Sequence, residues 1–98
     1  MSASLSTHVL DTGRGRPARG VRVELYSRHE LVAEGETDDD GRIARLHERL
    51  DPGPYRLVFH PPSPFFRRVE LEIELDADAH YHVPLLVSPY SCASYRGS

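Results

Sequence analysis

The chain has 98 residues, enough for one domain with a single small core, and we expect residues 1–98 to form it. Its formal net charge is −3, and its twelve cationic side chains are all arginines scattered along the chain, so no basic stripe points to nucleic acid. The single cysteine, Cys92, excludes an internal disulfide, and no apolar run approaches the roughly 20 residues that span a bilayer. The N-terminus shows no secretory pattern, so we expect a cytoplasmic protein with no membrane partner.

The first predicted strand covers residues 5–10 and has no plainly solvated face. Leu5, Thr7 and Val9 form one set of alternating side chains. The opposite set also carries an apolar residue: Ser6, His8, Leu10. Alternate side chains of a strand share a face, so His8 lies on a face that is partly apolar.

The middle of the chain predicts strands separated by short turns. Residues 21–26 alternate between apolar and polar side chains, and Asp38-Asp39-Asp40-Gly41 is typical of a hairpin turn. Residues 45–50 are the best candidate for a helical turn. Residues 55–60 again alternate, and 51–54 before them are rich in proline and glycine.

The segment 61–66 interrupts the strands. Three of its residues are prolines, which block a regular helix, so we expect a compact turn with Phe65 and Phe66 packed beneath it. Residues 69–76 follow as a strand whose alternate positions are acidic and solvated. Short strands at regular spacing with Gly/Pro punctuation predict an all-β protein, an antiparallel sandwich of about eight strands in two sheets with little helix.

The last predicted strand covers residues 81–87. We expect four of its side chains to face the core: Tyr81, Val83, Leu85, Val87. The opposite set, His82, Pro84 and Leu86, is not a solvated face. A sheet that is apolar on both sides is covered by something on its outer surface, and in so short a chain we expect a second subunit there.

Three segments together resemble one enzyme family. They are Ser6-Thr7-His8-Val9-Leu10-Asp11-Thr12, the strand at 81–87, and the ending Tyr95-Arg96-Gly97-Ser98. From about Leu5 to Ser98 the chain resembles the 5-hydroxyisourate hydrolases of the transthyretin-like family. The resemblance implies a transthyretin-like (prealbumin-like) sandwich and a homotetramer, a dimer of dimers with active sites in a channel between facing sheets. Relatives have a longer connection with a short helix where this chain has 61–66.

The resemblance also implies the reaction and its residues. The substrate is 5-hydroxyisourate, hydrolysed in urate degradation to 2-oxo-4-hydroxy-4-carboxy-5-ureidoimidazoline, with no metal or organic cofactor. The implied catalytic residues are His8, Arg42, His82 and Ser98. The implied substrate-binding residues are His8, Arg42, Tyr95, Arg96 and Gly97.

These residue types suit the chemistry. Water must attack a ring carbonyl, so a base is needed, and imidazole titrates near neutral pH. Charge that develops on the carbonyl oxygen needs fixed donors, and planar guanidinium groups pair with substrate oxygens. We assign water activation and substrate polarisation to His8 and His82 without deciding which does which. No Gly-x-Ser-x-Gly motif is present, so we expect direct hydrolysis.

Other interpretations stay open for the same residues. Taken singly, His8 is typical of a structural histidine, Arg42 of the residue after a hairpin turn, and the tail of a frayed end. A transthyretin-like carrier that binds a small molecule in the inter-subunit channel is the alternative function, and an interaction module of a larger array is a third. His8, His80 and His82 have spacing that could hold zinc, although His80 is better interpreted as a solvated strand end.

Overall fold

The fold comes from a computed structural model that describes residues 2–76 and 78–97. Over these residues the chain forms two sheets and no helix. The strands are β1 Ala3–Asp11, β2 Arg16–Pro17, β3 Arg22–Ser27, β4 Glu30–Glu36, β5 Arg42–Leu50, β6 Gly53–Phe59, β7 Val69–Leu75, β8 His80–Ser88 and β9 Ser91–Ser94. No helix in the described part of the chain is long and apolar enough to cross a membrane.

The two sheets have different topologies. The first has the order β2-β1-β8-β9, with β5 also paired to β1, and the second has the order β4-β3-β6-β7. Every pair is antiparallel except β1 with β8, which run parallel from Ser4 opposite His80 to Asp11 opposite Val87. The sandwich predicted from the alternation is confirmed.

The core lies between the sheets and contains the apolar sets that the alternation predicted. Leu5, Val9 and Leu85 from the first sheet are fully buried, as are Leu25 and Phe59 from the second. Burying an aliphatic or aromatic side chain of this size stabilises a fold by about 1.5–3 kcal/mol. The inward faces of β1 and β8 are therefore fixed firmly, and their other faces point away from the core.

The prediction of a helical turn at 45–50 is wrong. These residues belong to β5, which pairs with β1 through a register shifted on both sides of Leu5. Such irregularities add residues to one strand, so strict alternation is lost. Leu46 and Leu50, which stand four residues apart, are both buried. Residues four apart share one face of a strand and also one face of a helix, so this pair by itself does not distinguish the two structures.

The connection 61–66 is non-helical, but its packing differs from the expectation. The Ser63 hydroxyl accepts hydrogen bonds from the backbone N–H groups of Phe65 and Phe66, at 3.1 and 2.9 Å. Phe65 is 64% exposed, so the expectation that both rings pack beneath the turn is wrong for it. Its ring instead meets those of Phe66 and Tyr90 edge to face on the surface, with centroids 5.0 and 6.2 Å away.

Gly41 gives the first testable prediction. It is buried with φ +75°, and a Cβ there would lie 2.5 Å from the Val9 carbonyl oxygen and 3.0 Å from Pro17 Cβ. Gly15 has a similar φ of +71° but no heavy atom within 4 Å of a Cβ. We expect Gly15→Ala to cost about 1–2 kcal/mol from backbone conformation alone, and Gly41→Ala to cost at least about 1 kcal/mol more. Urea unfolding of both variants measures the difference, and equal losses would contradict the close packing of this turn against β1.

Candidate active site

The outer face of the first sheet carries most of the candidate residues. His8 is the register partner of Arg42 on β5 and of Pro84 on β8, and Ser6 is the partner of His82. Directly paired residues project to the same side of a sheet. The side chains of His8, Arg42 and His82 therefore share the face that points away from the core.

His8 is held by the turn that precedes β5. Its Nε2 donates a hydrogen bond to the Asp40 carbonyl oxygen at 2.8 Å, since a carbonyl can only accept. The turn is set by the Asp38 carboxylate, which accepts from the backbone N–H groups of Asp40 and Arg42 at 2.9 and 3.0 Å. The acidic cluster is therefore a turn, as the sequence predicted. In the neutral imidazole of His8, the proton is on Nε2 and Nδ1 carries the lone pair.

His82 is half-buried and bonded on one side. Its Nδ1 lies 2.8 Å from the Ser6 hydroxyl, and its carbonyl accepts from the Gly97 N–H at 2.6 Å. Burial lowers the pKa of His82 below 6.5, and the charge of Arg42 lowers that pKa further, as does a proton on His8 or His80. The imidazole is therefore mainly neutral at pH 7, which suits proton exchange with a substrate.

The C-terminal tail reaches this face at Gly97. Gly97 forms a bridge with His82, and a Cβ on Gly97 would lie 2.7 Å from His82 Cδ2. A side chain at this position would displace either the imidazole or the tail. Glycine therefore permits the tail backbone to lie directly against the ring.

The rest of the tail is arranged differently. The Arg96 guanidinium carbon lies 4.4 Å from the centroid of the Tyr81 ring. Tyr81 belongs to the core-facing set of β8, so Arg96 points to the opposite side of the strand from the His82 ring. Tyr95 is 59% exposed. Ser98, the fourth implied catalytic residue, lies outside the described residues.

Sequence reasoning missed a group of side chains beside His82. The His80 Nδ1 lies 2.6 Å from the Ser4 hydroxyl, and its Nε2 lies 2.8 Å from the Ser6 hydroxyl that also contacts His82. His80 is exposed at the start of β8, as expected, but both of its ring nitrogens have partners. Ser4 and Ser6 have the same two-residue spacing as His80 and His82. This signal has a meaning only once β1 and β8 are known to pair.

The zinc hypothesis has no assembled ligand set. Across residues 2–76 and 78–97, no three His, Cys, Asp or Glu residues are grouped so that they could hold a metal ion. His8 directs Nε2 at the Asp40 carbonyl, and both nitrogens of His80 contact serines. Three imidazoles on one face are therefore arranged for hydrogen bonding.

The site is open within one chain. Arg42 is exposed, and His8 and His82 are only partly buried. Leu10 and Leu86 on the same face are also half-buried, which leaves apolar surface beside the imidazoles. A reacting molecule would need a second wall to be shielded from water.

The sandwich and its imidazole–guanidinium face define a protein of the transthyretin type, and the family comparison agrees. The model of the HIUase/Transthyretin family matches residues 5–97, so the chain belongs to this family. 5-Hydroxyisourate hydrolase 2 of Rhizobium meliloti (strain 1021) is 43% identical over 99% of this chain and 98% of its own length. That alignment runs over 118 positions, so the relative contains residues that this chain lacks.

Two solved structures resemble the fold. The 5-hydroxyisourate hydrolase of Klebsiella pneumoniae has a TM-score of 0.89, is 36% identical, and matches all of both chains. Transthyretin of Sparus aurata has a TM-score of 0.85 and is 25% identical, with 95% of each chain covered. A protein named as a hydrolase and a protein named as a transthyretin therefore both have this fold.

The environment of His82 gives the second prediction. Replacing Arg42 with glutamine removes a positive charge that disfavours protonation, so the pKa of His82 should rise. It should stay below 6.5, because burial, the largest cause of the lowered pKa, remains. NMR titration of the His82 ring protons measures both values.

Arg45→Gln is the matched control for this titration. Arg45 is also an exposed arginine of β5, but it pairs with Glu48 at 2.8 Å and does not contribute to the lowered pKa of His82. Its replacement should leave the titration of His82 unchanged. Equal effects of the two substitutions, or a pKa of His82 at or above 6.5 in the wild-type protein, would contradict the lowering of this pKa by burial and by Arg42.

Proposed function

We propose that this protein hydrolyses 5-hydroxyisourate to 2-oxo-4-hydroxy-4-carboxy-5-ureidoimidazoline in urate degradation. The observation that carries the proposal is the presence of His8, Arg42, His82 and the Gly97 backbone on one sheet face. The family membership and the hydrolase relative that is 43% identical support it.

His8 is suited to activate water. Its Nε2–H is committed to the Asp40 carbonyl, so its Nδ1 is an acceptor whenever the ring is neutral. A positioned imidazole that removes a proton from the attacking water contributes about 10²–10⁴-fold to a rate. The turn at 38–41 fixes this ring through a backbone atom, which does not change its protonation with pH.

His82 is suited to handle the proton of the leaving nitrogen or to polarise the carbonyl. Its Nδ1 contacts Ser6, so Nε2 is the ring nitrogen left for the substrate. Its lowered pKa keeps it neutral at pH 7, and a neutral imidazole can donate and accept at different nitrogens. The roles of the two histidines are thus distinguished by their fixed nitrogens.

Arg42 is proposed to bind the substrate oxygens and the charge that develops on one of them. Its guanidinium is exposed on the site face and presents a planar fork that matches carbonyl-rich rings. Tyr95 and Arg96 are proposed to bind substrate and Ser98 to take part in proton transfer. For these three residues the support is the resemblance of the Tyr-Arg-Gly-Ser ending. The geometry of one chain adds none for Arg96, because its guanidinium stacks on the Tyr81 ring.

A transthyretin-like carrier is the second candidate, favoured by the TM-score of 0.85 to Sparus aurata transthyretin. A carrier for apolar ligands would gain little from three imidazoles and a guanidinium on its binding face, because desolvating them costs free energy. Ligand binding without any acceleration of substrate decay would favour this candidate.

Assembly completes the proposal. We infer a homotetramer, a dimer of dimers, in which a facing sheet of another subunit supplies the second wall of the site. We also infer a cytoplasmic location. The half-buried Leu10 and Leu86 beside the imidazoles support a covered face, since apolar surface of this kind favours association. The small size of the domain also favours association as a source of stability.

The third prediction tests catalysis. His8→Ala and Arg42→Ala should each lower the acceleration of 5-hydroxyisourate decay by about 10²-fold or more, because each removes a base or a fixed cation. Truncation after Tyr95 should have a similar effect, because it removes the backbone that lies against His82. Stopped-flow absorbance on freshly generated substrate measures the rates, and circular dichroism checks that the fold is intact.

Matched controls are available for both substitutions. His29→Ala changes an exposed histidine of the β3–β4 turn, and Arg45→Ala changes an exposed arginine of β5. Both should retain the wild-type rate. If 5-hydroxyisourate decays no faster with the wild-type protein than in buffer alone, the hydrolase proposal is refuted.

The fourth prediction concerns assembly. Sedimentation velocity should give a mass of about four chains at micromolar concentration. Leu86→Arg should weaken the assembly, because it places a charge on the apolar part of the site face. A wild-type protein that stays monomeric at that concentration would contradict the shared channel.

A further inference from the structure

A continuous chain of hydrogen bonds joins four side chains of β1 and β8. It runs from the Ser4 hydroxyl to His80 Nδ1 at 2.6 Å and from His80 Nε2 to the Ser6 hydroxyl at 2.8 Å. It then runs from the Ser6 hydroxyl to His82 Nδ1 at 2.8 Å. The parallel register produces it, because Ser4 is opposite His80 and Ser6 is opposite His82.

The two ends of this chain differ in exposure. His80 is exposed and Ser4 is partly exposed, whereas Ser6 is 7% exposed and His82 is half-buried. Each member can both donate and accept a proton, since hydroxyls do so at one atom and imidazoles at two. The chain therefore connects solvent with the inner histidine of the site.

We propose that Ser6 and His80, with Ser4, form a proton relay that fixes the orientation of His82 and exchanges protons between its Nδ1 and solvent. Ser6 and His80 act through His82 and are positioning residues. This proposal rests on the proposed hydrolysis, in which His82 exchanges a proton with the substrate at Nε2.

Proton transfer along the relay is balanced. When His82 Nε2–H gives its proton to the leaving nitrogen, His82 Nδ1 takes one from the Ser6 hydroxyl. Ser6 takes one from His80 Nε2, the Ser4 hydroxyl gives one to His80 Nδ1, and water reprotonates Ser4. One proton enters from solvent and one leaves to the substrate. The reverse sequence removes a proton that His82 has accepted.

The surroundings of His82 favour a relay over a fixed charge. The charged and titratable groups that act on it are Arg42 on β5, His8 on β1 and His80 on β8, and each disfavours a second positive charge on this face. Passing the proton on through neutral hydroxyls avoids an accumulated imidazolium. Gly97 packs against the ring and adds no charge.

The test compares variants of the 98-residue chain on 5-hydroxyisourate. Ser6→Ala breaks the contact with both imidazoles and should lower kcat about ten- to hundredfold with little change in KM, because orientation and not binding is lost. Ser6→Thr keeps the hydroxyl and should retain most of kcat. Ser88→Ala on β8, the strand of His80 and His82, is the control and should be neutral, since among the described residues the Ser88 hydroxyl donates to the Ser91 carbonyl and contacts no histidine.

His80→Ala supplies a readout that a structural role would not move. It should lower kcat about tenfold, and added imidazole should restore part of the rate in proportion to its concentration, because a free base can replace the missing relay group. In the ¹⁵N spectrum of the ring, His82 should also lose its preference for one tautomer in Ser6→Ala.

The outcomes are distinguishable. A wild-type protein that does not accelerate decay overturns the hydrolysis itself and the relay with it. An active wild-type protein whose Ser6→Ala and His80→Ala variants keep kcat within about twofold overturns the relay alone. Loss of rate in His80→Ala that imidazole does not restore also overturns proton transfer through His80.

Discussion

The parallel pairing of β1 with β8 is the constraint on which the rest of this structure depends. Its register, from Ser4 opposite His80 to Asp11 opposite Val87, is fixed by the inward residues that both strands bury in the core. A slip of one residue would turn those side chains out of the core, so the register is strongly specified. The same register sets the outer face, where it aligns Ser6 with His82. Core packing thus positions the polar site on the reverse side of the same strands.

The outer face differs from an ordinary solvated face because its polar side chains form hydrogen bonds with neighbouring protein groups. Asp40 holds His8 through its carbonyl, and Ser6 holds His82 through its hydroxyl. Burial and nearby positive charge lower the pKa of His82, and Gly97 lets the tail backbone lie on its ring. Apolar neighbours on the same face are suited to contact a second chain. Imidazoles held by hydrogen bonds beside apolar surface fit the site between subunits that we propose.

Much of this arrangement was predictable from local patterns. Alternation identified the core sets of β1 and β8, and their unsolvated outer faces directed attention to His8 and His82. The pattern failed at 45–50, where Leu46 and Leu50 stand four residues apart, a spacing that fits one face of a helix as well as one face of a strand. It also failed for Phe65, whose exposure depends on how the Pro-rich connection lies over the sandwich and not on its composition.

The sequence by itself determined the all-β class, the inward faces of the strands and, through its motifs, the family, because strand alternation and motif residues are local properties. Only the tertiary structure decided which strands pair and in which register. It thereby brought Ser4 and Ser6 to the histidines of β8, more than 70 residues away, and turned Arg96 towards Tyr81. These contacts depend on long-range pairing and on the path of the tail, and neither leaves a periodic signal in the chain.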